Sequence, residues 1–512
     1  MSRVVETSYG LLEGIVDQQS LAFKGVPYAA PPVGALRFRA PAPPAAWTGV
    51  RKADAYGPSC PQQPMIGAFA ELCPVPTPVG DDCLSLNVWA PETGGSGLPV
   101  LFWIHGGGFA AGSGAEEVYN GSSFARDGVI CVTINYRLAA LGYINLSEHF
   151  DDLPDSANLG LLDQIAALEW VRDNIAAFGG DPASITVAGE SAGGAAVASL
   201  LASPRARSMI RRAILQSPVP LRSVTAATAS KIAAHVLDEL GVKPGDVAAL
   251  EGVSDQQIVD LSYRITDEVP DPRYADIYGE LSGLGMAFVP TTDTTHLPVA
   301  VETALVTDAV HGIDVLLGCT EDEMGVFCNS VDGAPLPTGE GLRGLLDYLG
   351  AAKGLTGQQI VDIYRSKRPT DTPDLAIDSA ILTDITFQVP LWRVADDLCG
   401  HTNVWAYQFA WQTPVLNGQR RAHHFLELPF VFDQLDCSQA RRLTGDDPPR
   451  ELAALVHGAW VAFARSGSPE HTDLPAWPQW DCEHHNVMNL DRKPELLTDA
   501  RAYELALWDG VI

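Results

Sequence analysis

The run Ile185-Thr-Val-Ala-Gly189-Glu190-Ser191-Ala192-Gly193-Gly194 passes from β-branched residues through a G-x-S-x-G core into the small-residue, helix-forming stretch 195–202. The pattern by itself is weak: with 47 glycines in the chain, chance supplies it in roughly one such sequence in four. Its context decides the reading. A strand that ends in a tight, glycine-flanked turn and restarts as a helix is the elbow that lifts a serine hydroxyl out of a sheet. Glycines at 189 and 193 suit a strained turn that neighbouring backbone approaches closely.

Working outward, short apolar runs rich in β-formers recur at 99–104, 129–135, 185–188, 212–216, 313–317 and 404–409. They do not alternate, so they read as strands buried on both faces, as in a parallel sheet. Between two of them Leu161, Ile165, Leu168, Val171, Ile175 and Phe178 recur at three- and four-residue steps behind Asn158, which gives an amphipathic helix with Asn158 as its N-cap. Strand, helix, strand in that order implies right-handed crossovers and a doubly wound sheet covered by helices on both faces. The segments 220–310 and 330–400 are longer and more charged, and read as helical insertions that roof a pocket. No repeat or low-complexity linker marks a boundary, so residues 1–512 are read as one α/β domain.

Composition removes several function classes. With 512 residues, 46% hydrophobic and 19% charged, the chain can bury a large core. Sixty-three acidic against 33 basic residues give a net charge of -30, a potential that repels nucleic acid and anionic membrane surfaces. No apolar leader or membrane-length run appears, and a cytoplasmic protein is expected. Nine cysteines are thinly spread, without zinc-ribbon or redox spacing. His484 and His485 beside Cys482 are adjacent side chains that splay apart, and no second cluster completes a ligand set, so no metal is expected.

A serine hydroxyl attacks a carbonyl only with a base to take its proton and donors for the developing oxyanion. The strand around 101–104 runs into His105-Gly106-Gly107-Gly108-Phe109, where bare glycines let successive N–H groups converge; with the N–H of Ala192 they form a candidate oxyanion hole. A phosphate-cradling loop is the competing reading, but the Lys-Ser/Thr that would follow is missing.

These features resemble the type-B carboxylesterases, the α/β hydrolases that include cholinesterases and bacterial para-nitrobenzyl esterases. The likeness begins at Phe23-Lys-Gly-Val-Pro-Tyr-Ala-Ala-Pro-Pro-Val-Gly-Ala-Leu-Arg-Phe38 and continues through Asp82-Cys83-Leu-Ser-Leu-Asn87, Asn135-Tyr-Arg-Leu, Asn158-Leu-Gly-Leu-Leu-Asp-Gln164 and Phe178-Gly-Gly-Asp-Pro182. It implies an α/β-hydrolase fold and cofactor-free hydrolysis of small carboxylic esters, with carbamate, thioester or amide cleavage as a second reading and a non-catalytic binding homologue as a remote one. Oligomeric state is left open between monomer and homodimer. The family's G-x-x-x-D-E-G segment aligns with Gly318-Cys-Thr-Glu-Asp322-Glu323, which makes Glu323 the triad acid, although Met324 stands where glycine is usual. Of the adjacent histidines, spacing does not choose; the family pattern matches His424-Phe-Leu-Glu427 and makes His424 the base. The order Ser191, Glu323, His424 follows that of α/β hydrolases. Glu190, Asp181 and Ser217 match supporting positions. Cys60 and Cys83 sit where extracellular relatives bridge a loop; in a reducing cytoplasm thiols are expected. No tryptophan lies between them, which disfavours choline esters, and the triple-glycine hole suggests room for tertiary-alcohol esters. In Phe288-Val-Pro-Thr-Thr-Asp293 the resemblance breaks at Thr294, where glycine is common.

Overall fold

The computed structural model describes residues 3–65, 70, 73–76, 78–282, 284–307, 310–328, 338–499 and 502–511. Its strands are β1 (Val4–Thr7), β2 (Gly10–Glu13), β3 (Ile15–Asp17), β4 (Ser20–Pro27), β5 (Val50–Lys52), β6 (Ser85–Pro91), β7 (Leu98–Ile104), β8 (Ile130–Ile134), β9 (Gly180–Glu190), β10 (Arg212–Gln216), β11 (Asp314–Thr320), β12 (Val404–Phe409), β13 (Val487–Leu490) and β14 (Glu495–Leu497). Strands β1, β2 and β5 make a small sheet near the N-terminus. The other eleven form one sheet in the order β14-β13-β12-β11-β10-β9-β7-β8-β6-β4-β3. From β13 to β8 every junction is parallel, and antiparallel strands finish both edges. All six runs read from sequence are strands of this sheet.

Both faces of the parallel centre are covered, which explains the missing alternation. Val100, Phe102 and Ile104 of β7 pack into one apolar cluster, and Leu101 and Trp103 into another on the opposite face. The first face carries α1 (Leu159–Asn174) and α2 (Ala192–Ala202), followed in sequence by α3 (Ala226–Glu239) and α4 (Asp255–Glu268), the latter opened by a Ser254/Gln257 capping box. The long segment 340–398 folds as α5 (Glu340–Gly350), α6 (Gly357–Ser366), α7 (Asp374–Thr383), a π-helical turn at Asp384–Gln388 and α8 (Val389–Leu398). The opposite face carries α9 (Arg450–Ser466).

Two local expectations are corrected. Asn158 does occupy the N-cap position of α1, but its side chain caps nothing: it holds a distant loop, accepting from the Thr291 N–H at 2.9 Å and donating to the Thr291 carbonyl at 2.8 Å and the Thr294 hydroxyl at 3.0 Å. Thr294, the departure from glycine, thereby closes that loop. Helix α1 presents Glu169, Arg172 and Asp173 on its outer side, as an amphipathic helix does, while Asp163 is buried in an ion pair with Arg137 at 2.7 Å. Finally, Cys60 and Cys83, expected as thiols, are joined in a disulfide with Cα atoms 5.0 Å apart; both residues are buried in one cluster, which sets them face to face independently of any inference about compartment. Among the described residues no helix is long and apolar enough to cross a membrane.

Candidate active site

The registers set the site. Ile104 of β7 pairs with Gly189 of β9, so the glycine loop and the serine elbow leave the sheet side by side at the carboxyl ends of adjacent strands. Strand β10 delivers Gln216 and Ser217 next to them, and β11 ends at Thr320, whose turn leads to Glu323.

At the elbow Ser191 sits at φ 58°, ψ -126°, a conformation that costs a non-glycine residue of order 1–3 kcal/mol. The turn is held by a bond from the Ser191 N–H to the Gln216 carbonyl (2.9 Å) and by the close seating of α2 on β7: a Cβ on Gly193 would lie 2.1 Å from the Ile104 carbonyl oxygen. The glycine loop turns through Gly107 at φ 106° and Gly108 at φ 62°. A side chain at Gly107 would strike the Ala111 carbonyl, whereas the Cβ direction of Gly108 is open. Beneath the loop His105 is buried, stacked on Tyr136 at 4.5 Å and bonded through Nδ1 to the Gly106 carbonyl; burial pushes it down to about 4. It is a neutral structural ring. Among the described residues the N–H groups of Gly107, Gly108 and Ala192 donate to no acceptor, so three backbone donors stand free at the elbow.

The two histidines separate cleanly. His424 Nδ1 meets Glu323 Oε2 at 2.5 Å, while Glu323 Oε1 accepts from the Ser217 hydroxyl and the Thr320 N–H, both at 2.6 Å. His423 instead bonds through Nδ1 to the His424 carbonyl, and burial pushes it down to about 3. Of the neighbouring acids, Asp322 pairs with Arg421 at 2.9 Å and so faces away from His424. Met324 explains the departure from glycine: its side chain is buried in the apolar cluster of α5–α7, and its N–H donates to Thr383 Oγ1 at 3.1 Å. Glu323 is thus fixed from the sheet side by Ser217 and Thr320 and from the helical side by the anchoring of its neighbour.

On the other edge of the imidazole, His424 Nε2 faces Glu190 Oε1 at 3.1 Å. Ser191 Oγ makes no hydrogen bond among the described residues. Burial opposes charge on His424, but the fields of Glu190 and Glu323, the bond to Glu323 and the field of Glu427 outweigh it and push the ring up to about 9. Glu190 is itself held well above the usual carboxylate range by burial; His424 opposes that rise, and Glu427, Glu323 and Glu116 add to it. The two therefore influence each other's titration across this 3.1 Å contact.

Sequence reading missed part of this setting. Glu116 and Glu427 are buried acids, each pushed up to about 7 chiefly by desolvation. Glu427 accepts from Gln216 Nε2 at 3.0 Å, and Gln216 in turn accepts from Trp460 Nε1 at 2.8 Å. Glu427 was visible three residues after His424, but its partner on β10 lies 211 positions away. Phe387, from the π-helical turn, and Phe327 lie 5.1 and 5.7 Å from the His424 ring and wall the site. Asp181, matched to a supporting position, lies at the opposite end of β9 from Glu190 and accepts a local bond from the Ala183 N–H; the length of the strand separates it from the serine. Among the described residues no group of three or more His, Cys, Asp and Glu is placed to hold a metal ion; His484 pairs with Asp481 and His485 faces Asp396.

The profile of the Carboxylesterase family matches residues 1–508. This chain belongs to the carboxylesterase family. It is 36% identical over 501 residues to the para-nitrobenzyl esterase of Bacillus subtilis, covering 97% of this chain and 96% of that one. Against the phenmedipham hydrolase of Pseudarthrobacter oxydans it is 34% identical over 501 residues, covering 95% and 94%. The crystal structure of the Geobacillus stearothermophilus carboxylesterase EST55 at pH 6.2 superposes with a TM-score of 0.84 at 36% identity, over 99% of this chain and all of that one. This chain has an α/β-hydrolase fold and is a carboxylic ester hydrolase.

Proposed function

We propose that this esterase works through an acyl-enzyme made by Ser191, with His424 as general base, Glu323 as the acid that orients it, and the Gly107, Gly108 and Ala192 N–H groups as the oxyanion hole. The observation that carries the reading is the buried Glu323–His424 pair beside a strained serine and three free backbone donors. The bond to Glu323 keeps the proton on Nδ1 and leaves Nε2 as the acceptor. For catalysis the ring leaves its resting position against Glu190 and turns Nε2 to the hydroxyl of the adjoining Ser191. Ser191 Oγ then attacks the ester carbonyl carbon as its proton passes to Nε2; the carbonyl oxygen gathers charge under the three N–H groups. Collapse of the tetrahedral adduct expels the alcohol, which takes the proton from His424. Water, deprotonated by the same nitrogen, attacks the acyl-enzyme and releases the acid and Ser191.

Glu190 and Ser217 support this cycle. Ser217 orients Glu323, and Glu190 gives the free edge of the imidazole a resting partner. Hydrolysis of para-nitrophenyl acetate, butyrate and octanoate by the wild type and Ser191→Ala at pH 8 tests the proposal. Loss of turnover in a folded Ser191→Ala protein is expected, and the three chain lengths size the acyl pocket; activity that survives the substitution refutes the nucleophile.

A further inference from the structure

Seven cysteines lie outside the Cys60–Cys83 bond, and two of them, 83 residues apart, meet in space. Cys399 is the C-cap of α8. Cys482 lies in the turn that leads to β13, beside Cys399, whose thiol acts on its titration. Each also reaches the other's segment: Cys399 Sγ donates to the Trp480 carbonyl and Cys482 Sγ to the Asp396 carbonyl, both at 3.8 Å. The junction around them is fixed by aromatic and polar contacts. Trp392 of α8 stacks on Trp480 at 5.5 Å and 13°, and Trp480 Nε1 donates to Asp396 Oδ1 at 2.9 Å. His485 packs on the same tryptophan at 5.1 Å.

We propose that Cys399 and Cys482 form a second disulfide, a staple between the end of α8 and the segment before β13. Segments docked through Trp392, Trp480 and Asp396 already hold each sulfur against a carbonyl of the other's segment, so the backbone approach that a disulfide demands is largely made. Closure proceeds by exchange with a low-molecular-weight disulfide. Cys482, the solvent-exposed partner, loses its proton to solvent, attacks one sulfur of that disulfide and expels a small thiolate. Cys399 then loses its proton and attacks the Cys482 sulfur, and the second small thiolate leaves; two electrons pass from the cysteines to the small disulfide, which ends as two thiols. Burial, the neighbouring Cys399 thiol and the carboxylates of Asp396 and Asp481 push the Cys482 thiol up to about 12. The thiolate that attacks is therefore favoured by raised pH. The opposite end of α8 follows the turn that sets Phe387 against His424, so the staple restrains a helix whose other end walls the active site.

The full chain is incubated at pH 8.5 with excess oxidised glutathione, alkylated under denaturing conditions, and digested without reduction for mass spectrometry. A peptide joining Cys399 to Cys482 is expected, with the other five free cysteines alkylated. The oxidised wild type should melt about 3 °C above Cys482→Ser treated identically, because the bond constrains a long loop of the unfolded chain. Cys437→Ser should keep that margin, and turnover of para-nitrophenyl butyrate should be unchanged in Cys482→Ser. Alkylation of both thiols, a cross-link to a different cysteine, or equal melting of wild type and Cys482→Ser overturns the proposal.

Discussion

Replacing Glu323 by Gln separates orientation from mere packing in the proposed mechanism. The amide is nearly isosteric, and its carbonyl oxygen can still accept from the Ser217 hydroxyl and the Thr320 N–H, which both bond Oε1 at 2.6 Å. That places the NH2 group where Oε2 met His424 Nδ1. Two donors cannot face each other, so the imidazole proton moves to Nε2, where Glu190 Oε1 at 3.1 Å is ready to accept it. Glu190 thus favours the tautomer that cannot take the proton of Ser191. The imidazolium of the transition state also loses a neighbouring negative charge, worth about 4 kcal/mol at roughly 4 Å and an effective dielectric of 20, or about a thousandfold in rate. With the tautomer reversal added, kcat should fall by about 10³–10⁴. The assay is initial-rate hydrolysis of para-nitrophenyl butyrate at pH 8, with active-site titration to count competent serines and circular dichroism to show that the variant is folded. A folded Glu323→Gln enzyme that keeps kcat within tenfold of wild type refutes the assignment of Glu323.

Three further outcomes follow from the same geometry. Activity requires His424 free of its proton, so kcat/KM rises with pH through the imidazole pKa; because the Glu190 field helps raise that value from 6.5 to about 9, Glu190→Gln should move the acidic limb of the profile to lower pH, and an unmoved or higher limb contradicts the pairing. Gly107→Ala would set a Cβ 2.2 Å from the Ala111 carbonyl oxygen at a φ of 106°; the loop must shift, and kcat should drop by about 10²–10³ with little change in KM, whereas near-normal turnover would remove Gly107 from the oxyanion hole. The open space at Gly108 supports turnover of tert-butyl acetate alongside primary-alkyl acetates, and activity on the primary esters alone would show that the alcohol side is closed.

What the sequence reveals here and what it hides follow from the range of the interactions. The elbow is local: β-branched residues, glycines and a small-residue helix within twenty positions are enough to find Ser191, and the strands declare themselves because each is buried on both faces. The base was ambiguous because His423 and His424 are equally buried neighbours in sequence. Only their partners differ, a carbonyl for one and a carboxylate delivered by β11 for the other. Asn158 shows the same limit from the other side. An asparagine before a helix has a local job by default, yet here its side chain is claimed by a loop 133 residues away, and nothing within the helix announces that competition.

The buried acids are the part that pattern reading misses and electrostatics explains. Glu116, Glu190, Glu323 and Glu427 are all shielded from water, and four buried charges around one imidazole would be prohibitive if each were alone. They are not equivalent. Glu323 receives the hydroxyl, amide and imidazole bonds, whereas Glu427 has its Gln216 bond, Glu116 has Gln439, and Glu190 has the edge of His424. Desolvation accordingly raises the latter three above the usual carboxylate range, while the hydroxyl and amide donors converge on the one carboxylate that the imidazolium must face. Glu190, with few donors of its own, depends on its contact with the free edge of the imidazole, so the rest position of the base and its readiness to leave Glu190 for Ser191 are set by that one contact. It follows that adding a donor to Glu190 would strengthen its charge, hold the imidazole more firmly at rest and slow the enzyme, while leaving the triad residues themselves untouched.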